Sequence, residues 1–303
     1  MNCFDFCEQK QYYNAISKSH VNGNSNVFIE FVLDMIDKVL DDIGRRRNNG
    51  EIRKNQEENM RSILTSYLGG ANRVGEKRVP AVLVEANGLL RKIQEFWPEN
   101  ARVLMICASP DDHEKNDAVS SCYRQSLSMS ELSYSSLEMC DDRNESSVDL
   151  LGEKDVIILT GGHVPTQNAF FKKIGLKEKL QDFDGLLLAW SAGSMNCAET
   201  VYAGPELPGE SVDPDYQRWI SGLGLTGINI WPHFQHLRNE MLDGRRLLED
   251  ITYEDSMGHE FIALNDGSYI LIEEGKETIF GEAYSIKNAR LELLCRDGDH
   301  LAL

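Results

Sequence analysis

Five short apolar runs, separated by polar segments with helical spacing, limit most strongly how this chain can fold. The runs are SILTSY (62–67), ARVLMICASP (101–110), LSYSSLEMC (132–140), KDVIILTGG (154–162) and DGLLLAW (184–190). Buried strands that alternate with helices are typical of a parallel sheet that is covered on both faces. The sequence therefore predicts an α/β fold with a mostly parallel sheet sandwiched by helices. The segments 79–97, 112–128 and 165–180 are the predicted helices.

The two ends of the chain differ from this pattern. Residues 222–234, 260–275 and 276–295 contain short apolar runs with turn signals, which predicts antiparallel C-terminal strands at the edge of the same sheet. VFIEFVLDMIDKVLDDI (27–43) has the spacing of an amphipathic helix. Its apolar stripe would pack on its own domain, form a homodimer contact or bind a partner helix. We expect an N-terminal helical extension over 1–60 and an α/β domain over 61–303.

The composition and the absence of certain motifs disfavour several classes of partner and cofactor. The 49 acidic and 31 basic residues give a net charge of −18, which disfavours nucleic acid and anionic membranes as partners. The seven cysteines are scattered without a CxxC pair, so the sequence predicts neither a disulfide framework nor a metal site. No strand is followed by GxGxxG, and no cofactor is expected. The absence of a long apolar run or a leader pattern favours a cytoplasmic protein.

Ser191 is the first candidate for chemistry. It follows the apolar run LLLAW and is flanked by Ala189, Ala192 and Gly193, a small-x-Ser-x-small pattern. Such a pattern is typical of a nucleophile elbow, where small residues leave room for a sharp turn from strand to helix. A serine that caps the following helix would have a similar sequence. Both interpretations stay open at this point.

Gly161 and Gly162 end the preceding strand, where they form either an ordinary tight turn or part of an active site. Glycine permits a close approach and unusual dihedral angles. The carboxyl ends of parallel strands meet at one edge of a sheet, so this loop should adjoin Ser191. The backbone N–H groups of Gly162 and Ala192 would then form a two-donor oxyanion hole.

A nucleophilic serine needs a base and an acid. His233, in NIWPHFQ, follows an apolar strand and a proline, and His163 and His236 are its competitors. Asp266 lies at a turn after a strand, where its carboxylate could reach His233. A solvated hairpin turn is the alternative interpretation of Asp266.

The order of strand-Gly-Gly, helix, WSAG and PHF resembles the peptidase E (α-aspartyl dipeptidase) family of serine peptidases, which is related to cyanophycinases. The resemblance covers about residues 61–295. It implies a class I glutamine amidotransferase-like, flavodoxin-like fold, with Ser191 as nucleophile and His233 as base. It also implies that Gly162 and Ala192 form the oxyanion hole, and Asp266 matches the third, acidic member more loosely.

The chain departs from that family at two positions, and the counterpart of one further family residue stays open. His163 stands where the family has asparagine, and Ala189 replaces a glycine. The family binds an aspartyl side chain through an arginine after the catalytic histidine. Arg238, Arg245 and Arg246 lie in that region, and no motif singles out one of them. His163, Arg238 and Arg245 are therefore candidate substrate-binding residues.

The sequence thus favours a dipeptidase-type serine hydrolase that cleaves small peptides through an acyl-enzyme. Two alternatives remain: a non-catalytic or regulatory glutamine amidotransferase-like protein, and a hydrolase of non-peptide amides or esters.

Overall fold

The computed structural model describes Ile29, residues 60–75 and residues 77–303. The extension predicted over 1–60, with its helix over 27–43, lies outside the described residues except for Ile29 and Met60. Apart from Ile29, the described residues belong to the α/β part of the chain.

An eight-stranded sheet forms the centre of this part. In spatial order its strands, numbered along the chain, are His300–Ala302 (β18), Lys276–Phe280 (β15), Tyr269–Glu273 (β14), Arg61–Thr65 (β1), Leu186–Trp190 (β7), Val156–Leu159 (β6), Ala101–Ile106 (β4) and Tyr134–Cys140 (β5). Strands β1, β7, β6, β4 and β5 are parallel neighbours. Strands β14, β15 and β18 extend the sheet antiparallel beyond β1. The mostly parallel sheet and its antiparallel C-terminal edge are as the sequence predicts.

Each central strand buries both of its faces. In β6, Ile157 and Leu159 belong to one hydrophobic cluster, and Val156 and Ile158 belong to another. All four side chains are 0% exposed. Successive residues of a strand point to opposite faces, so the sheet separates two cores. This double burial explains why the strands are continuous apolar runs rather than alternating ones.

Helices cover both faces of the sheet. Within residues 60–303 the α-helices are Leu89–Phe96 (α1), His113–Met129 (α2), Val164–Lys173 (α3), Leu176–Lys179 (α4), Ala192–Asn196 (α5), Phe234–Leu237 (α6) and Tyr253–Asp255 (α7). Leu89 and Ile93 of α1 and Leu127 of α2 belong to the cluster with Val156, and Phe170 and Phe171 of α3 belong to the cluster with Ile157. None of the helices in the described residues combines the length and hydrophobicity that a membrane span requires.

The C-terminal third differs from the sequence prediction in one respect. Four of its strands form a separate sheet instead of joining the edge of the central one. In spatial order they are Asn229–Trp231 (β10), Glu260–Leu264 (β13), Ala283–Lys287 (β16) and Arg290–Cys295 (β17). A third hydrophobic cluster, which includes Phe234 and Phe261, packs against this sheet. Only β14, β15 and β18 extend the central sheet.

Short two-stranded ribbons complete the fold. They pair Gly69–Val74 (β2) with Lys77–Leu83 (β3), Thr200–Tyr202 (β8) with Trp219–Ser221 (β9), and Met241–Leu242 (β11) with Arg245–Arg246 (β12). The helix predicted over 79–97 is therefore wrong before residue 89, because 79–83 belong to strand β3 and the α-helix begins only at Leu89. The valines of VPAVLV are compatible with a strand, and the helix begins only after Gly88, whose φ is 74°.

Close packing between α5 and β6 gives a testable consequence. A Cβ atom added to Gly193 would lie 2.5 Å from the backbone oxygen of Leu159, and neither element can move without disturbing the sheet. We expect Gly193→Ala to lower the free energy of unfolding by about 1–3 kcal/mol. Gly152→Ala is the matched control, because a Cβ at Gly152 meets nothing within 4 Å. Chemical denaturation of both variants measures the difference, and equal stabilities would contradict the packing described.

Candidate active site

Ser191 occupies a sharp turn between β7 and α5. Its φ of 52° and ψ of −120° lie in a region that non-glycine residues rarely adopt, at a cost of about 1–3 kcal/mol. The Ser191 N–H donates to the carbonyl of Thr65 at 3.1 Å, which fixes the turn to β1. Its hydroxyl does not cap the helix. A strained serine at the junction of strand and helix is the geometry of a nucleophile elbow.

The loop beside Ser191 has no space for a side chain at Gly161. A Cβ on Gly161 would lie 2.7 Å from Trp190 Nε1 and 3.0 Å from Ser191 Cβ. The loop after β6 therefore touches the elbow, as expected from strands that end at one edge of the sheet. Any side chain at Gly161 would push the two loops apart.

Gly162 also has no space for a side chain, because it packs against the loop that follows β4. A Cβ there would lie 2.5 Å from Ala108 Cβ, at the end of β4. Neither Gly161 nor Gly162 has a positive φ. The expectation of unusual dihedral angles at these glycines is wrong, and close approach alone explains both of them.

His233 and Asp266 meet because two parallel strands are in register. Trp231 of β10 is the partner of Ala263 in β13, so the loops after both strands begin side by side. His233 follows Pro232 and has a φ of 55°. Its Nδ1 lies 2.7 Å from Asp266 Oδ1. The carboxylate thus holds one ring nitrogen and leaves Nε2 free for another partner.

Ser66 joins this pair to β1. It follows Thr65, which is the register partner of Trp190 in β7. The Ser66 hydroxyl accepts a 2.7 Å hydrogen bond from the His233 backbone N–H and donates one of 2.7 Å to Asp266 Oδ1. With the His233–Asp266 contact, these bonds close a ring that fixes the imidazole in position and orientation. Ser66 itself is 0% exposed.

The same ring controls the charge of Asp266. Burial would raise the pKa of this carboxyl group, but the hydrogen bonds from His233 and Ser66 and the charge of His233 outweigh it, so the pKa lies below the usual value. Asp266 is therefore ionised at neutral pH. An ionised carboxylate stabilises an imidazolium ion and selects the tautomer that carries its proton on Nδ1.

Ser191 and His233 line one cleft of about 350 Å³. Asp266 is not among the described residues that line the cleft, so its carboxylate contacts the imidazole on the side away from the cleft. The Ser191 hydroxyl makes no hydrogen bond with any described residue, the imidazole included. In free enzymes this bond is often long and shortens only in the substrate complex.

The three candidate substrate-binding residues lie elsewhere. His163 contacts Thr166 Oγ1 at 2.8 Å and Glu210 Oε1 at 2.9 Å. Arg238 is exposed and stacks its guanidinium 5.3 Å from the centre of the Phe234 ring. Arg245 binds backbone oxygens and lies 3.3 Å from Glu254. None of the three is among the described residues that line the cleft.

The sequence reasoning missed three polar residues. Ser66 could have been suspected because it ends an apolar strand, like Ser191. Glu206 and Glu240 line the cleft, on segments that carry no recognisable motif. His236, a competitor for the role of base, lies at the surface: its side chain is 68% exposed and lies 3.8 Å from Asp266.

A parallel sheet with a strained serine at its carboxyl edge, beside a carboxylate-bound histidine, defines a class of serine hydrolases. Residues 85–280 match the sequence profile of peptidase family S51. The match spans more than half of the chain, which therefore belongs to peptidase family S51. The protein is a serine-type peptidase. No curated protein matches the chain.

Two solved structures are similar to this chain. A peptidase from an acI-B1 Actinobacterium superimposes with a TM-score of 0.52 at 16% identity, over 82% of this chain and 98% of the other. A protein of Listeria monocytogenes EGD-e assigned to peptidase E gives a TM-score of 0.47 at 13% identity, over 76% and 98% of the two chains. The first of these similarities supports the α/β architecture with helices on both sides of the sheet.

The ring of hydrogen bonds that includes Ser66 predicts that this residue positions the imidazole of His233. We expect Ser66→Ala to slow the reaction of Ser191 with a fluorophosphonate by about tenfold, because the imidazole loses a fixed orientation. The pH dependence of the reaction should also shift, since Asp266 loses a donor. Ser62→Ala is the matched control, because the Ser62 hydroxyl is buried in the same strand without a partner. Equal rates in both variants would show that Ser66 does not position His233.

Proposed function

We propose that Ser191, His233 and Asp266 form the catalytic triad of this peptidase and that the substrates are small peptides of dipeptide type. One observation carries the proposal: the strained Ser191 faces the same cleft as a histidine whose other ring nitrogen is held by a carboxylate at 2.7 Å. This arrangement supplies a nucleophile, a base and an orienting group in the order that acyl transfer needs.

In the proposed acylation step, His233 Nε2 takes the proton of the Ser191 hydroxyl. The oxygen attacks the carbonyl carbon of the peptide bond and forms a tetrahedral oxyanion. Asp266 stabilises the imidazolium that results. His233 then gives the proton to the leaving amine, the carbon–nitrogen bond breaks, and an ester to Ser191 remains.

The oxyanion would be held by the backbone N–H groups of Gly162 and Ala192. Ala192 is the first residue of α5, where N–H groups have no partner within the helix. The loop of Gly162 adjoins the elbow through Gly161. Removal of one such donor costs about 3 kcal/mol of transition-state stabilisation in related sites.

In deacylation, water is the nucleophile and the Ser191 oxygen is the leaving group. His233 takes a proton from a water molecule, whose oxygen attacks the ester carbonyl. The proton then returns to the Ser191 oxygen as the acid product leaves, and the enzyme is regenerated. Each step uses residues of the chain and water alone.

The size of the cleft supports a small substrate. A volume of about 350 Å³ is at the lower end of ordinary ligand pockets. It has space for a few side chains but not for a long folded segment. Profiling the purified protein with a dipeptide library and with model esters would separate peptide hydrolysis from hydrolysis of other amides and esters.

The role of Ser191 is tested by substitution. We expect Ser191→Ala to lower turnover by about 10⁴-fold or more, because the nucleophile is removed while the fold stays intact. Ser109→Ala is the matched control, because Ser109 is a partly exposed serine at the same edge of the sheet, after β4. Steady-state kinetics and mass-spectrometric mapping of the fluorophosphonate adduct measure both. Full activity in Ser191→Ala, or an adduct on another serine, would refute the assignment.

A further inference from the structure

The charged side chains of the cleft are acidic. Glu206 and Glu240 line it beside Ser191 and His233, and no lysine or arginine is among its lining residues in the described part of the chain. Charged groups in a confined cleft select ligands of opposite charge. The acidic lining therefore favours a substrate that carries a positive charge.

Glu206 is fixed next to the catalytic loops. The backbone N–H groups of Glu206 and Leu207 donate to Glu210 Oε2 at 2.8 and 2.9 Å. Glu210 Oε1 in turn contacts His163, one residue after Gly162, at 2.9 Å. Glu206 Oε1 accepts a long hydrogen bond of 3.5 Å from the Val164 N–H. His163 thus anchors, through Glu210, the loop that carries Glu206 over the cleft.

The Glu206 carboxylate has no cationic partner among the described residues. The residue as a whole is exposed, while its carboxylate end lies against the Val164 N–H at the cleft. Burial and the neighbouring Glu210 raise the pKa of Glu206 to about 7, against the hydrogen bond from Val164. A cation placed beside Glu206 would relieve this cost, so the site gains from a positive ligand.

The remaining walls are apolar. Trp231, Leu237, Met241 and Leu242 line the same cleft. A side chain that suits such a site has an apolar stem and a charged tip, as lysine and arginine have. An aspartyl side chain would instead meet Glu206 and Glu240, with no lysine or arginine among the described lining residues. The two candidate arginines that follow His233 in the sequence, Arg238 and Arg245, make other contacts.

We propose that the cleft selects substrates with a lysine or arginine side chain next to the cleaved bond, and that Glu206 is the residue that determines this preference. The proposal rests on the function proposed above, because it assumes that the cleft beside Ser191 binds the substrate. Glu240 adds a second carboxylate to the lining. Both residues are exposed, but only the side chain of Glu206 is bonded to the loop after Gly162, through the Val164 N–H.

Ligand binding tests the proposal without turnover. Isothermal titration calorimetry on Ser191→Ala would use N-acetyl-lysinamide, its uncharged counterpart N-acetyl-norleucinamide, and the α-amide of N-acetylaspartate. The acetyl group removes the α-ammonium charge, so the side chain alone is compared. We expect the lysine ligand to bind about tenfold or more tightly than the other two. Glu206→Gln, made in the same background, should remove most of this difference.

A control for net charge is needed in a protein with a charge of −18. Glu199→Gln makes the same charge change at an exposed residue outside the cleft lining, and it should leave the preference unchanged. Repeating the titrations on the wild-type protein guards against a folding defect in Ser191→Ala.

The results separate the two proposals. Preference for the aspartate ligand, equal binding of all three ligands, absence of binding, or equal effects of Glu206→Gln and Glu199→Gln would overturn the charge preference. None of these outcomes changes the labelling of Ser191 by a fluorophosphonate, which tests the catalytic role by itself.

Discussion

The active-site geometry depends on the hydroxyl group of Ser66, which ties the end of one sheet to the end of another. Through it, β1 of the central sheet holds both the backbone of His233 and the carboxylate of Asp266, each at 2.7 Å. Ser191 is attached to the same strand by the carbonyl of Thr65. The proposed nucleophile and the proposed base come from different sheets, yet both are positioned from the carboxyl end of β1. A fixed arrangement of this kind lowers the entropy that must be lost as the reaction begins.

Close packing at the carboxyl edge of the central sheet accounts for the residues with strained backbone and for the glycines near the site. Ser191 and His233 both have positive φ angles, and tertiary contacts stabilise each of them. Gly161 and Gly193 have no space for a Cβ atom, because they pack against Trp190 and Leu159. Steric requirements, rather than special backbone angles, therefore select glycine at these two positions. The cleft that results is small, and its charged lining is acidic.

Much of this fold could be predicted from the sequence, because double burial makes the parallel strands continuous apolar runs. Ser191, His233 and Asp266 could be singled out for the same reason: each follows such a run. Strand β3 could not be distinguished from a helix, since a short apolar run contains too little periodicity to separate the two. The separate sheet depends on which strand β10 and β13 choose as partner, and the role of Ser66 depends on contacts between residues 200 positions apart, as in the Ser66–Asp266 bond. No local pattern records such a contact.

The central claim is that Ser191 attacks within a site formed by His233, Gly162 and Ala192. A crystal structure of the fluorophosphonate adduct tests it most directly, because the phosphonyl group mimics the tetrahedral intermediate. We predict a bond from phosphorus to Ser191 Oγ, and a phosphonyl oxygen within about 3 Å of the N–H groups of Gly162 and Ala192. His233 Nε2 should lie within hydrogen-bonding distance of the adduct. A phosphonyl oxygen directed away from both N–H groups, or an imidazole out of reach, would contradict the account.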